Sequence, residues 1–423
     1  MWRAAVLVLL AACGDGLTLP DAAAHPPDSD IGLVRVQYLG GVPEGNVVMF
    51  QAADGSLVLA TRTDAEGQAN AYMRAGGTAT IIGTNGNSHL MYTWTGVQPG
   101  DELVLDRRAF SEVPFTRAYQ VTVPLAPDAN AYRLLTSCGS FVFPPFDVVP
   151  EIVVDLRGCV ERTDMLVLAG PNFSTRSYLH AADVSLSSIG INLAGEYRPL
   201  ESSAVNVSGG PTDSAFGLAT QFLIAQGREL YRSATGGIAL SGGLGQLVHA
   251  MPLPPGSTLM TLVRFNPAPS AIGAHFATTW GPAKAATPVN VSATRVHDYT
   301  SRGVYEPNSQ RVTWGEGTTG ALADAVLVQV GWYRPGIGEN YQWQVLARRG
   351  ADPIVQLPQL PGRDFTPREG DTLVQPTTLV NIKIEGGYDR IRTSLLGRWT
   401  PGETWPADTA SGSVVYEDLA SPF

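Results

Sequence analysis

The sequence is poor in charged residues, and those it has are mostly acidic. Asp and Glu number 38 against 28 Lys and Arg, which gives a net charge of −10 over 423 residues. Binding to a phosphate backbone needs a basic footprint, so no nucleic-acid partner is expected. Hydrophobic residues make up 44% of the chain, which is enough to build packed cores and argues against general disorder.

Helix signals and long apolar runs are also scarce. After residue 10, no apolar run reaches the roughly 18 residues of a membrane-spanning helix. Alanine-rich pieces such as residues 320–325 lack helix caps and length. Glycine and proline, by contrast, are abundant at 46 and 31 residues, which favours many turns and short elements. These features predict an all-β fold.

Cysteine is rare, and the first of the three cysteines stands in a recognisable context. Leu10-Ala11-Ala12-Cys13-Gly14 ends a short apolar stretch that opens with Arg3. This segment resembles the lipobox of bacterial lipoproteins. The resemblance implies that residues 1–12 are a signal peptide and that Cys13 becomes the lipidated N-terminus, carrying palmitate-type acyl chains. A plain secretory signal, or an accidental apolar N-terminus, stays open as an alternative.

The lipobox resemblance also implies a location. Residues 13–29 are rich in Pro, Ala and Asp with little to bury, so we expect a disordered tether behind the lipid. The expected location is the bacterial cell envelope, at the periplasmic or surface side of a membrane such as the outer membrane. The lipid would anchor the protein without a spanning segment.

The two other cysteines, Cys138 and Cys159, form an even pair. In an exported chain the oxidising compartment favours a disulfide between them. Two buried free thiols are an alternative. A metal pair is disfavoured, since no histidine lies near either cysteine at ligand spacing. No metal or cofactor is expected elsewhere in the chain.

Short strands separated by glycine turns fill residues 30–108. The strand patterns lie at 31–38, 46–51, 57–62, 69–73, 78–83, 89–94 and 102–106. Asp54-Gly55, Glu66-Gly67 and Asn85-Gly86 are hairpin signals. The order of a Val-x-Phe strand, a glycine turn and Thr63-Asp64-x-x-Gly67 resembles carboxypeptidase-regulatory-like and bacterial Ig-like modules. That resemblance implies a prealbumin-like β-sandwich that acts as a spacer or interaction unit.

The strand patterns begin again after each turn-rich break, which predicts three further modules. We expect a β-sandwich with the disulfide at 109–200, a β-rich module at 201–296 and another sandwich at 297–423. In the last module, alternation places Val326, Val328, Val330 and Trp332 on one face of a strand. A Trp on an early strand, an aromatic on the next and Leu-Pro turns resemble fibronectin type III-like sandwiches. Residues 389–397 are also predicted as a strand.

The candidate catalytic and metal-binding residues all have structural explanations. Ala239-Leu240-Ser241-Gly242-Gly243 loosely matches a nucleophile elbow, but glycines follow where a helix should begin, so we interpret it as a glycine-rich loop. The turn carboxylates Asp54, Asp64 and Glu66 are weak calcium candidates that turn chemistry also explains.

Single, scattered histidines lack the His-Glu-x-x-His spacing of metal sites and are interpreted as surface or partly buried polar residues. The histidines are His25, His89, His180, His249, His275 and His297. His180 and Asp183 are the closest histidine–carboxylate pair in sequence, but on a strand their side chains face opposite ways.

Aromatic residues of the last module are candidates for a sugar-stacking platform: Trp314, Trp332, Tyr333, Tyr341 and Trp343. Their place in alternating strands predicts core packing for most of them, with Tyr333 the best exposed candidate. The sequence therefore favours a non-catalytic envelope lipoprotein that binds, adheres or acts as a scaffold, with an envelope protein or glycan as partner. The alternatives are a carbohydrate- or peptidoglycan-binding module array and a hydrolase with a site between modules.

Overall fold

The chain folds into stacked β-sheets, as its glycine-rich turns and short apolar runs predict. The computed structural model describes residues 30–39, 43–106, 118–136, 139–143, 151–155, 162–212, 214–225, 228–265, 274–291, 296–318, 320–361, 365–394 and 412–418. Nearly every element in these ranges is a strand, which confirms the all-β sandwich fold. The tether 13–29 and all three cysteines lie outside the described residues.

The first segment forms two facing sheets. β1 lies between β4 and β7, and the strands β3, β2, β5 and β6 follow one another in the opposing sheet. Side chains of β1 such as Val36 pack against Phe50 and Trp94 between the sheets. Gly55, at φ 83°, supports the β2–β3 turn that the Asp-Gly signal predicts. The strands are β1 Ile31–Leu39, β2 Val47–Gln51, β3 Leu57–Arg62, β4 Gln68–Arg74, β5 Gly77–Asn85, β6 Ser88–Val97 and β7 Glu102–Asp106.

The second segment is a sandwich with its own core. The sheet β10-β9-β12-β13-β15 faces the sheet β11-β8-β14. Val121, Leu134 and Val167 are fully buried between them. The strands are β8 Ala118–Thr122, β9 Ala131–Thr136, β10 Gly139–Phe143, β11 Glu151–Asp155, β12 Arg162–Gly170, β13 Ser177–Ser185, β14 Gly190–Asn192 and β15 Arg198–Pro199, with a short 3-10 turn at Pro171–Phe173.

The third segment packs the sheet β20-β16-β23 against a sheet that contains β17, β18, β19, β21 and β22. Val205, Val263 and Phe265 lie in its core. The strands are β16 Glu201–Ser208, β17 Phe216–Ala225, β18 Arg228–Arg232, β19 Gly236–Ala239, β20 Gly245–Met251, β21 Thr258–Phe265, β22 Ala274–Pro282 and β23 Ala286–Asn290.

The last segment supplies a long hairpin, a covering sheet and a helix. β26 and β27 pair along their whole length, and the sheet β24-β25-β28 covers one of their faces. The elements are β24 Val304–Glu306, β25 Arg311–Thr313, β26 Ala325–Arg334, β27 Glu339–Arg348, β28 Ile354–Gln356, β29 Thr372–Ile384, the helix α1 Gly387–Ser394 and β30 Gly412–Asp418.

One sheet of 13 strands joins the first, third and last segments. β6 pairs in parallel with β27, and β22 pairs with β30, which in turn pairs with β29. A shared core follows from this pairing, since Trp94, Met260 and Leu346 belong to one buried cluster. The segments expected at 30–108, 201–296 and 297–423 are therefore hydrogen-bonded to one another. Their separate folding stays a prediction.

The alternation predicted for residues 326–332 is confirmed. Val326, Val328, Val330 and Trp332 pack on the side covered by β24-β25-β28, whereas Leu327 packs on the opposite side. The long β26–β27 hairpin thus separates two cores. A one-residue shift in the pairing of either strand would turn its side chains to the opposite face and disrupt both cores.

The strand predicted at 389–397 is wrong, because residues 387–394 form helix α1. Tyr388, Ile391 and Arg392 are buried at helical spacing and face the shared core. Asp389 lies in the first turn, where the helix dipole favours a negative charge. A segment of about eight residues with mixed polarity fits both the two-residue period of a strand and the 3.6-residue period of a helix. Tertiary packing therefore decides which of the two forms.

Candidate functional site

A cleft of about 830 Å³ opens at the end of the β6–β27 joint, and we call it the joint cleft. Parallel pairing sets its floor: Ser88 lies opposite Asn340, His89 opposite Tyr341, and Leu90 opposite Gln342. The residues that line it come from both the first and the last segment. They are Tyr38, Glu44, Gly45, Asn46, Val47, Arg62, Ile82, Gly83, Thr84, Asn85, Ser88, His89, Leu90, Leu105, Asn340, Tyr341 and Gln342.

The wall from the first segment is held by a compact turn. The Asn46 side-chain nitrogen donates to Pro43 O at 2.9 Å, and the Asn46 backbone N–H donates to Thr63 Oγ1 at 3.0 Å. Arg62 Nη1 donates to Gly45 O at 2.8 Å. These bonds fix the turn beside the opening, so the polar groups there are pre-positioned.

The rim of the joint cleft carries amides. Asn85 and Asn340 are exposed, and Gln342 is half-buried on the floor. Across the described ranges, none of these three side-chain amides has a hydrogen-bond partner in the protein. Each amide offers both donors and an acceptor, so together they present an uncharged, hydrogen-bonding surface to a ligand.

A glycine keeps the floor of the cleft open. A Cβ built on Gly83 would lie 3.5 Å from Asn46 Oδ1 and 3.8 Å from the Tyr38 hydroxyl, in ordinary van der Waals contact. Its φ lies outside the left-handed region, so a side chain is tolerated by the backbone. A larger residue at position 83 would therefore occupy cleft volume without backbone strain.

A polar and aromatic cluster supports the cleft from the other face of the sheet. The His89 ring stacks on Tyr341 with centroids 4.6 Å apart, and Trp332 stacks on Tyr341 at 5.0 Å. Glu339 accepts a hydrogen bond from the Tyr341 hydroxyl and lies 3.2 Å from His89 Nε2. These partners hold the pKa of Glu339 below its usual value, the Tyr341 hydrogen bond being the largest cause.

A buried ion pair fixes the same hairpin end. Arg334 donates to both carboxylate oxygens of Asp371, at 3.0 and 2.9 Å, and to the Tyr341 hydroxyl at 3.1 Å. Both side chains of the pair are at most 4% exposed. Burial raises the pKa of Asp371, but the Arg334 hydrogen bonds outweigh it, so the pKa lies below its ordinary value.

Helix α1 ties the last segment to the first. Arg392 donates to Asp101 from Nε at 2.8 Å and from Nη2 at 3.2 Å, and both side chains are buried. The Tyr388 hydroxyl donates to Thr95 O at 2.7 Å, and burial raises the pKa of Tyr388 to about 12. These contacts hold together the two segments that line the joint cleft.

The lipid and disulfide sites predicted from sequence, Cys13, Cys138 and Cys159, lie outside the described residues. His25 lies outside them as well. The described strands nevertheless bring the flanks of the cysteine pair together. β9 ends at Thr136 and β12 begins at Arg162, and Thr136 pairs with Met165 across these two antiparallel strands.

Two further histidines, His180 and His275, lie beside carboxylates that sequence reasoning did not assign to them. His180 Nε2 is 3.2 Å from Asp164 Oδ2, while Asp183 pairs with Arg162. His275 Nε2 is 2.7 Å from Asp298 Oδ1. The interpretation of His275 as a surface or partly buried residue is wrong, since it is 2% exposed. Its position on β22, inside the large sheet, could not be deduced from local spacing.

A second buried polar cluster lies next to this pair in sequence. Glu316 accepts a hydrogen bond from Arg349 and lies 3.7 Å from His297 Nδ1. The Arg349 guanidinium also lies over the Trp314 ring at 5.0 Å. The opposite charges of these side chains pair and hold residues 297 and 316 against the end of the β26–β27 hairpin. Sequence analysis missed this cluster because its members are up to 52 residues apart.

Turn chemistry accounts for the calcium candidates. Asp54 Oδ1 accepts hydrogen bonds from the Ser56 N–H and hydroxyl, at 2.9 and 2.6 Å, which lowers the Asp54 pKa. Asp64 Oδ1 accepts from the N–H groups of Glu66 and Gln68. Over the residues that the structure describes, no group of three or more His, Cys, Asp or Glu side chains is placed to hold a metal ion.

The glycine-rich interpretation of residues 239–243 is confirmed. Ser241 is exposed in a turn between β19 and β20, and it exchanges backbone hydrogen bonds with Leu244. Gly242 and Gly243 have positive φ of 58° and 78°. A strand follows the turn, whereas a nucleophile elbow requires a helix there.

Core packing of the aromatic residues is also confirmed. Trp314, Trp332, Tyr341 and Trp343 are at most 6% exposed, and Tyr333 is the exception at 39%. These residues therefore do not form an open platform. The joint cleft replaces them as the candidate site, and its recognition required the pairing of strands that lie about 250 residues apart.

The part of the chain described in the structure has no helix long and apolar enough to cross a membrane. Its architecture is that of an all-β protein built from packed sandwiches. No family model matches the chain, and no curated protein matches it.

Solved structures show distant likeness. The chain is similar to the Bacillus anthracis TIE protein, with 11% identity and a TM-score of 0.15, over 62% of this chain and 50% of that one. It is also similar to trypsin-activated alpha-2-macroglobulin from Escherichia coli, with 11% identity and a TM-score of 0.14, over 88% of this chain and 28% of that one. The chain spans half or less of the length of these proteins.

Proposed function

We propose that this protein is a lipid-anchored binding protein of the bacterial cell envelope with no catalytic role, and that the joint cleft is its ligand site. The single observation that carries the binding role is the cleft itself, at a joint between two segments. Ligand sites occur preferentially at such junctions, and their volumes run from roughly 300 to 1,000 Å³. The 830 Å³ of the joint cleft falls within this range.

The chemistry of the cleft supports binding rather than catalysis. Its lining combines amides and hydroxyls with the apolar side chains of Leu90 and Leu105. His89, the one histidine of the lining, is stacked on Tyr341 and lies against Glu339 on the supporting face. Its position is explained by packing, so we assign it a structural role and expect no hydrolysis of esters, peptides or glycosides.

Anchorage is proposed on the Leu10-to-Gly14 sequence. Labelled palmitate supplied to an expressing bacterium should be incorporated into the wild-type chain, because the cysteine thiol accepts the lipid. Cys13→Ser should abolish the label. Equal labelling of both proteins would contradict a lipid at Cys13.

The binding role is tested with a cleft-filling substitution. The chain from residue 30 onward should sediment with envelope particles of the source organism, and Gly83→Val should prevent this by filling the cleft floor. Gly190→Val is the matched control, since Gly190 is a strand glycine with open space around its Cβ position and lies on β14 of another sheet. Identical sedimentation of all three proteins would contradict binding through the cleft.

A further inference from the structure

The joint cleft has an apolar floor beneath a polar, mostly uncharged rim. Leu90 and the Tyr38 ring contribute the apolar surface, and the amides of Asn85, Asn340 and Gln342 contribute the polar groups. A matching ligand carries hydroxyl groups around its edge and C–H groups on its faces. Saccharides have this arrangement, with vicinal hydroxyls that can pair with the donor and acceptor of one amide.

The backbone of the cleft floor is not available for strand addition. β5 lies between β2 and β6, β6 between β5 and β27, and β27 between β6 and β26. At the floor, β6 and β27 are therefore hydrogen-bonded on both edges, and β5 is paired with β2 up to Ile82. The one edge left open, at residues 83–85, is shorter than a typical strand of about five to six residues. A peptide that binds by extending a sheet needs a free edge, so recognition in the cleft depends on side chains.

The charges around the cleft do not suit an anion. Arg62 is the one guanidinium of the lining; it donates to Gly45 O, and Glu44 lines the same opening. Sites for phosphate or carboxylate ligands gather cationic groups or bidentate arginines. A neutral ligand avoids this mismatch, and the net charge of −10 adds no attraction for an anion.

From these features we propose that the joint cleft binds a neutral oligosaccharide. This inference rests on the proposed function, in which the cleft is the ligand site. Gln342 is placed to bind the hydroxyls of a sugar ring that lies over Leu90, its neighbour in the floor register. Tyr38 borders the same space, since its hydroxyl is 3.8 Å from a Cβ built on Gly83.

The test uses the full chain purified in detergent and a printed array of neutral and acidic glycans, followed by calorimetry with maltotriose, cellotriose and chitotriose. We expect saturable binding of at least one neutral glycan. Gln342→Ala should weaken that binding at least tenfold, because it removes a donor and an acceptor from the floor. Gly83→Val should abolish it, and Gly190→Val should bind as the wild type does. Thermal melting of each variant checks that it is folded.

Three outcomes would overturn the proposal in different ways. If no neutral glycan binds, but Gly83→Val still loses sedimentation with envelope particles, the cleft is a ligand site and its ligand is not a saccharide. If glycans bind equally to wild type and Gly83→Val, the saccharide site lies elsewhere. If Gly83→Val keeps both glycan binding and sedimentation, neither takes place in the cleft. That result would contradict the cleft as the ligand site and, with it, the saccharide proposal.

Discussion

Removing the Arg392 guanidinium should destabilise the first and last segments together. Arg392 and Asp101 are 2% and 8% exposed at their side chains and share two hydrogen bonds. Breaking a buried ion pair by removing one partner costs about 3–5 kcal/mol, because a charge is left buried without its partner. Asp101 keeps the hydrogen bond from the Gln98 N–H at 2.7 Å, so we expect the lower end, about 3 kcal/mol for Arg392→Met.

That loss is large enough to measure by two methods. Urea unfolding followed by tryptophan fluorescence should show a lower midpoint, and the melting temperature should fall by about 6–12 °C if the unit behaves like one of 150–250 residues. Arg390→Met is the control, since Arg390 is half-buried on the same helix and donates to the Glu385 backbone carbonyl rather than to a buried carboxylate, so its loss should cost only about 1 kcal/mol.

A double-mutant cycle tests whether the effect comes from the pair itself. The double variant Asp101→Asn with Arg392→Met should lose less stability than the sum of the two single variants. Each single variant leaves one buried charge without its partner, whereas the double variant leaves none. An unchanged stability of Arg392→Met, or full additivity in the cycle, would refute the ion pair as the link between helix α1 and the first segment.

Three further predictions concern the disulfide, acid stability and the segment boundaries. Peptide mapping without reductant should find Cys138 linked to Cys159, and free alkylation of both thiols in the native protein would refute the bridge; its loss should cost about 2–5 kcal/mol. The lowered pKa of Asp371 contributes stability above the unfolded value near 3.8, and that stability is lost as the pH falls further. Asp371→Asn should therefore flatten the stability profile below about pH 4 in acid unfolding, and an unchanged profile would count against the pair. Limited proteolysis should cut within 14–30 and then near 109, 200 and 297, and the fragments of the first, third and last segments should stay associated through the shared sheet; immediate separation of these three would contradict that sheet.

Local patterns were sufficient to predict strands wherever one face is buried and the turn carries glycine. Residues 57–62 and 102–106 form the strands expected, with the same ends. In β26 the alternation of valines predicted which residues enter each core. These successes share a cause, since the two-residue period and the turn residues are properties of the chain alone.

The strands of the third segment show little alternation of apolar and polar residues in the sequence, so local patterns predict them poorly. β16 reads ESSAVNVS, and its buried positions include Ser203, whose hydroxyl donates to Gln221 Oε1. A buried serine on the inner face hides the alternation that a valine would reveal. Helix α1 was missed for a related reason, because its helical face is defined by what Tyr388 and Arg392 contact in the first segment.

The joint cleft was beyond sequence analysis altogether. Its floor depends on β6 and β27, which are about 250 residues apart and carry no local signal that they pair in parallel. Once the strands are paired, the amides of Asn340 and Gln342 join Asn85 and Ser88 at one opening. The site is therefore a property of the topology, and the residues that line it are ordinary strand and turn residues in the sequence.

A cross-link between β6 and β27 tests the central claim, that the first and last segments form one sheet beneath the cleft. Ser88 and Asn340 are exposed register partners, and neighbouring strands lie about 4.8 Å apart, within the reach of a disulfide. Ser88→Cys with Asn340→Cys should give a linked peptide pair after mild oxidation, mapped by mass spectrometry. Ser88→Cys with Gly190→Cys, on strands of different sheets, should not link under the same conditions. Equal linking in both proteins, or in neither, would contradict the shared sheet.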